Sequence, residues 1–148
     1  MPTHAEKRLL PYLPEKLYNI VSDVEKYPEF LPWCIALRVR RLEVETINAD
    51  MIIGFKVFRE KFTTRITLNP PSRIDVEYLD GPFKYLNNHW IFNPIEGGAC
   101  EIDFYVDFEF KSLLLQKAIG AVFNEAVQKM INAFETRAHH IYGRQLKK

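Results

Sequence analysis

The side chains that could do covalent or acid–base chemistry in this sequence are few and poorly spaced for it. Histidines stand at His4, His89, His139 and His140, and cysteines at Cys34 and Cys100. A hydrolytic triad needs a nucleophile, a base and an orienting carboxylate, and a zinc site needs Cys and His at short intervals. No Ser-His-Asp order, His-Glu helix motif, Cys-His spacing or glycine-rich phosphate loop stands out, and Glu96-Gly97-Gly98 reads as a hairpin turn. His89 precedes Trp90 in a strand pattern, so the two point to opposite faces. With Trp90 and Phe92 inward, His89, Tyr85 and Asn87 face outward. His139 and His140 fall near the end of a long helical pattern, where cations suit the helix dipole. The expectation is a protein that is not an enzyme and requires neither metal nor cofactor.

Binding chemistry is better represented. The 148 residues include 11 Phe, 7 Tyr and 2 Trp, enough to fill one core and line a pocket as well. The length suits a single domain, 1–148. A net charge of +1 gives no bulk attraction to nucleic acid, so DNA is not an expected partner. No apolar leader is visible at the N-terminus, and no apolar run is long enough to span a bilayer. The expected location is therefore the cytoplasm, with peripheral contact at an inner membrane, and both thiols are expected to be reduced.

These aromatics must be positioned by the elements around them. Thr3 to Leu10 reads as a first strand ending at Pro11. Pro14 suits the first turn of a helix, and Leu17, Ile20, Val21 and Val24 give that helix one apolar face. Asp23 to Trp33 reads as a second short helix or ordered turn, broken by Pro28 and Pro32. From Ile35 to Phe110 the period is two. Ile47, Ala49, Met51, Ile53, Phe55 and Val57 alternate with polar positions, as do Phe62, Thr64, Ile66 and Leu68 in the next run. Ile74, Val76 and Tyr78 follow, then Ile102, Phe104, Val106, Phe108 and Phe110. Turns are expected at 69–72, 80–82 and 96–98. Residues 113–142 carry the longest helical pattern, with Ser112 near its N-cap and Gly143 as its stop. The fold class is α+β: a curved antiparallel sheet of about seven strands around a long C-terminal helix, with two short helices after the first strand. This is the helix-grip arrangement.

The run Asp23-Val24-Glu25-Lys26-Tyr27-Pro28-Glu29-Phe30-Leu31-Pro32-Trp33-Cys34 closely resembles the N-terminal motif of the coenzyme Q-binding, polyketide-cyclase-like family of the START superfamily. Gly81-Pro82-Phe83-Lys84-Tyr85-Leu86, followed by Trp90-Ile91-Phe92, resembles the family's central hairpin. Asp107-Phe108-Glu109-Phe110 before Ser112 resembles its closing segment. The resemblance implies a hydrophobic tunnel that binds a ubiquinone-like polyisoprenoid quinone in support of respiration or quinone biosynthesis. A bacterial branch of the family is described as a toxin that blocks association of the ribosomal subunits, which makes the large subunit an alternative partner. Aromatase or cyclase activity, known in polyketide relatives, is a third reading.

The expected ligand contacts come from three places. The Pro-rich loop supplies Phe30 and Trp33, which could also touch a membrane surface. The strands supply Phe55, Tyr78, Trp90, Phe92 and Phe108. The helix supplies Ile119, Val122, Phe123, Ala126 and Met130, with the small Ala118, Ala121 and Ala126 leaving room. Tyr78 or Asn88 is expected to provide a polar contact for the quinone ring. Arg38, Arg40 and Arg41 on one strand, and Glu101, Asp103, Asp107 and Glu109 on another, are expected on the wet face of the sheet.

Overall fold

The computed structural model describes residues 3–146 except 32–33, 56–57 and 121–122; side chains are further left undescribed at 41–42, 55, 58, 119, 123–124 and 143–146. The chain opens with β1 (Thr3–Leu10), α1 (Pro14–Ser22) and a 3₁₀ turn (Val24–Glu29). It continues through β2 (Cys34–Glu43), β3 (Thr46–Phe55), β4 (Phe58–Asn69), β5 (Arg73–Asp80), β6 (Phe83–Ile95) and β7 (Ala99–Phe110). It ends with α2 (Leu113–Gly120) and α3 (Phe123–Leu146).

The seven strands form one antiparallel sheet in the order β1-β7-β6-β5-β4-β3-β2. Strands β2 to β7 are a meander, as their short turns require. Strand β1 returns to pair with β7, with Thr3 opposite Asp107 and Leu10 opposite Cys100. Register shifts fall between Cys34 and Ala36, Arg41 and Glu43, Thr63 and Thr64, and Phe83 and Tyr85. Such bulges bend a strand and increase its twist, which lets a wide sheet curl around a helix. At the β5–β6 turn Gly81 sits at φ 145°, and a Cβ there would lie 2.5 Å from that of Phe62. No other residue fits that approach.

Period-two alternation buries the expected face. Ile47, Ala49, Ile66, Leu68, Ile74, Trp90, Phe92, Ile102, Phe104 and Phe108 are all in the core. Helix α1 adds Leu17, Ile20 and Val21, and α3 adds Val127, Ile131, Phe134 and Ala138 at helical spacing. A partly buried ionic cluster ties α3 to β1. Arg8 donates to Asn132 Oδ1 at 2.8 Å and Glu135 Oε1 at 3.0 Å, and pairs with Glu6 at 2.6 Å. Gln128 donates to Glu6 at 2.9 Å.

The C-terminal region differs from the sequence reading at its end. The described residues are helical over Leu113–Gly120 and Phe123–Leu146, so the helix passes through Gly143 rather than stopping there. A glycine inside a helix costs only about 1 kcal/mol relative to alanine. It stops a helix by adopting a left-handed cap, which the spacing alone does not ensure. Because the helix continues, His139 lies inside it. His139 shares a hydrogen bond with the Tyr12 hydroxyl and stands 3.6 Å from Glu135. The capping role of Ser112 is present: its Oγ accepts from the Leu115 N–H at 3.3 Å.

Cys34 and Cys100 are buried free thiols. Burial pushes both thiols from an ordinary 9.0 up to about 11. The fold thus favours the neutral thiol, a contribution fully present below pH 9 and lost as pH rises toward 11. Native protein at pH 8 is expected to react with a thiol-specific disulfide reagent at least a hundredfold more slowly than protein in denaturant. Rapid native labelling would show that the thiols are accessible.

Candidate ligand cavity

Between the concave face of the sheet and the C-terminal helices lies a cavity of about 240 Å³. This is close to the lower end of the ~300–1,000 Å³ of small-molecule sites. Met51 and Ile53 of β3, Phe62 and Ile66 of β4, and Ile74 and Val76 of β5 form one wall. Leu86 and Trp90 of β6, with Phe104, Val106 and Phe108 of β7, continue it. The helical wall is Leu115 of α2 and Ala126, Val127, Met130 and Phe134 of α3, and the 3₁₀ segment adds Val24, Tyr27 and Leu31.

Two aromatic clusters hold these walls apart. Trp90 packs edge-on against Phe104 at 4.6 Å and Phe134 at 5.0 Å, centroid to centroid, and Phe134 also meets Tyr27 at 5.4 Å and Phe30 at 5.2 Å. At the other end Phe83 meets Phe62, Tyr78, Phe108 and Phe110 at 5.4, 5.5, 5.3 and 4.7 Å. Edge-to-face and offset contacts of this kind add roughly 0.5–1.5 kcal/mol each beyond the area they bury. They make the wall rigid without filling the space it encloses. Trp90, Phe104 and Phe134 also line a second void of about 20 Å³ beneath Glu6, Arg8 and Glu135. These three rings therefore form a partition between the apolar cavity and the ionic cluster.

The polar members of the wall are Thr64, Asn88, Glu60 and Tyr27. Asn88 donates one amide hydrogen to the Tyr105 carbonyl at 2.8 Å, which fixes its orientation and leaves its second amide hydrogen and its Oδ1. Tyr27 donates its hydroxyl to the Val21 carbonyl. Burial holds its phenol well above the usual range, so it stays neutral.

Of the residues expected to touch a ligand, Trp90, Phe108, Ala126 and Met130 line the cavity. Three others stand off its wall. Phe92, only 1% exposed, is sealed against Tyr18 of α1, 5.7 Å away ring to ring. The Tyr78 hydroxyl accepts from the Phe83 N–H at 3.0 Å across the β5–β6 turn and is thereby held in that turn. Phe30 packs on Tyr27 and Phe134, with the Arg137 guanidinium 5.0 Å from its ring centre. Trp33 and Val122 lie outside the described residues, as do the side chains of Phe55, Ile119 and Phe123. Sequence reading passed over Phe83 and Phe134 as site-shaping residues. Both are buried apolar residues of their elements, and nothing local distinguishes a ring that frames a cavity from one that fills a core.

A curved antiparallel sheet gripping a C-terminal helix around an apolar cavity defines a helix-grip protein. Residues 10–135 match the pattern of the family described as polyketide cyclase/dehydrase and lipid transport, and the chain belongs to that family. It is 37% identical over 143 residues to the ribosome association toxin RatA of Escherichia coli K12, covering 97% of this chain and 90% of that one. It is 36% identical over 146 residues to the mitochondrial coenzyme Q-binding protein COQ10 homolog B of Xenopus laevis, covering 96% of this chain and 60% of that longer one. The solution structure of the 18 kDa protein CC1736 from Caulobacter crescentus shares the fold with a TM-score of 0.79 and 40% identity, covering 97% of this chain and 99% of that one. No helix among the described residues is long and apolar enough to cross a membrane.

Proposed function

We propose that the chain is a noncatalytic carrier that holds a polyisoprenoid quinone, or a lipid of similar shape, in the cavity between sheet and C-terminal helices. The observation that carries this reading is an apolar cavity with Asn88 fixed in its wall. Removing an isoprenoid chain from water is favourable by roughly 25 cal/mol per Å², and needs no directional contacts. A quinone carbonyl needs a donor, and the second amide hydrogen of Asn88 is suited to supply it. The polar wall residues are spread over three elements, Tyr27 on the 3₁₀ segment, Glu60 and Thr64 on β4 and Asn88 on β6, rather than arranged as a nucleophile and its base, which supports carriage over catalysis. Organic extraction of natively purified protein, followed by mass spectrometry, is expected to release a quinone or related lipid. Repeated absence of any lipid, together with no binding on titration, would remove the basis for this reading.

Asn88→Leu tests the polar contact. It is expected to weaken quinone binding about tenfold, the ~1.4 kcal/mol of a hydrogen bond lost from a buried site. Binding of a hydrocarbon of matching length is expected to change little. Equal weakening of both ligands would show that Asn88 shapes the wall rather than recognising the ring.

The similarity to RatA over nearly the whole chain supports a second reading, a translation regulator that binds the large ribosomal subunit. Arg38, Arg40, Arg59 and Lys61 are exposed on the outer face of β2 and β4, where they could meet RNA phosphates. Overexpression is then expected to raise free subunits at the expense of monosomes in sucrose gradients. Unchanged peaks argue against it.

A further inference from the structure

Helix α2 is apolar on two opposite sides, and only one of them is covered. Its inner side is accounted for. Leu115 lines the cavity, and Gln116 Oε1 accepts from the Phe110 N–H at 2.8 Å, pinning the helix to the end of β7. Leu113 and Leu114 lie on the other side, 76% and 73% exposed. At 100° per residue, Leu113, Lys117 and Leu114 fall within one outward arc, and Lys111 immediately precedes the helix cap. Both lysines are exposed, and neither has an ion-pair partner among the described residues. Isolated surface leucines are ordinary. Two adjacent leucines on one arc, flanked by free cations and one residue away from a cavity wall, are a pattern with a use.

We infer that the outward side of α2 docks on the surface of a bilayer containing anionic lipid. The leucines would enter the boundary between headgroups and acyl chains, while Lys111 and Lys117 meet lipid phosphates. This partner fits better than a protein groove because the flanking charges have one sign and the exposed leucines are confined to the first turn of α2. The location also suits the cavity's contents. Residue 115 faces the apolar space and residues 113–114 face outward, so the docked helix would set an apolar ligand's exit beside the membrane. This last step rests on the carrier reading; docking itself does not.

The test is co-sedimentation of the whole chain with lipid vesicles of phosphatidylcholine, with and without 30% phosphatidylglycerol, in the absence of quinone. The expected result is binding to the anionic vesicles that weakens with salt, and at least a tenfold loss of partitioning in Leu113→Ser/Leu114→Ser. Both positions are solvent-facing, so this variant is expected to melt with the parent. Lys111→Gln/Lys117→Gln is expected to remove most of the salt dependence. A parent that does not bind, or a leucine variant that binds as well as the parent, overturns the inference. So does a concentration-dependent dimer that the leucine variant abolishes, since a second copy would then be the occupant. Titration with a short-chain quinone in vesicle-free solution keeps the two readings apart. Vesicle binding without quinone binding leaves the docking surface standing and removes the carrier.

Discussion

Trp90→Ala is expected to destabilise the protein by about 3–5 kcal/mol, as truncation of a buried aromatic does. For a chain of this size that corresponds to a fall in Tm of roughly 10–15 °C. Trp90 is 5% exposed and touches the rings of Phe92, Phe104 and Phe134. The loss has two sources. Removing the indole forfeits its transfer free energy and its edge contacts, and the surrounding sheet cannot collapse into the gap because the cavity beside it is already open. The same change breaches the partition between the apolar cavity and the void under Arg8. The variant that remains folded is therefore expected to accept a bulkier apolar ligand than the parent, at a cost in discrimination. Urea unfolding and ligand titration measure the two effects separately. A loss below 1 kcal/mol would show that the Trp90 cluster is loosely packed and that the partition is not a structural feature.

How far the fold could be read from the chain follows from what kind of information each element needs. The strands carry their own signal, since burial on one face forces alternation, and Ile47, Ala49, Ile66 and Phe104 fall where the period places them. The helix α1 carries its signal as well, through Pro14 and its apolar stripe. The cavity does not. Trp90 and Phe92 share one face of β6 with identical periodicity, yet Trp90 frames the open space and Phe92 is closed over by Tyr18. That distinction is set by where α1 crosses the sheet, a contact about 70 residues distant in the chain. Tyr78 departs from expectation for the opposite reason: a very local contact to the Phe83 amide, created by the bend at Gly81, holds it in the turn. Asn88 and Tyr78 stood as alternatives for the polar contact in the sequence, and only the folded chain separates them: Asn88 lines the cavity and Tyr78 does not.

Ala126 offers the sharpest separation of cavity from core. It is half-buried on α3 and lines the cavity beside Val127 and Met130. Ala126→Phe is expected to place a ring into open space, lower lipid occupancy and weaken quinone binding by at least tenfold, about 1.4 kcal/mol. Because the volume is there to receive it, the change in stability is expected to stay under about 1 kcal/mol. In a close-packed interior the same insertion would force neighbouring rotamers and backbone to shift, at about 1–3 kcal/mol or more. Ala126→Glu is the contrasting variant. A carboxylate placed in this apolar cavity would be desolvated without a partner, so both ligand binding and stability are expected to fall, and the stability loss to ease as pH falls through the carboxyl's raised pKa toward the ordinary carboxylate range. Comparing the two variants by thermal melting and by quinone titration makes the outcomes distinct. A phenylalanine variant that unfolds as readily as the glutamate one would mean that α3 packs directly on the sheet in solution, and the carrier reading would lose the space it depends on.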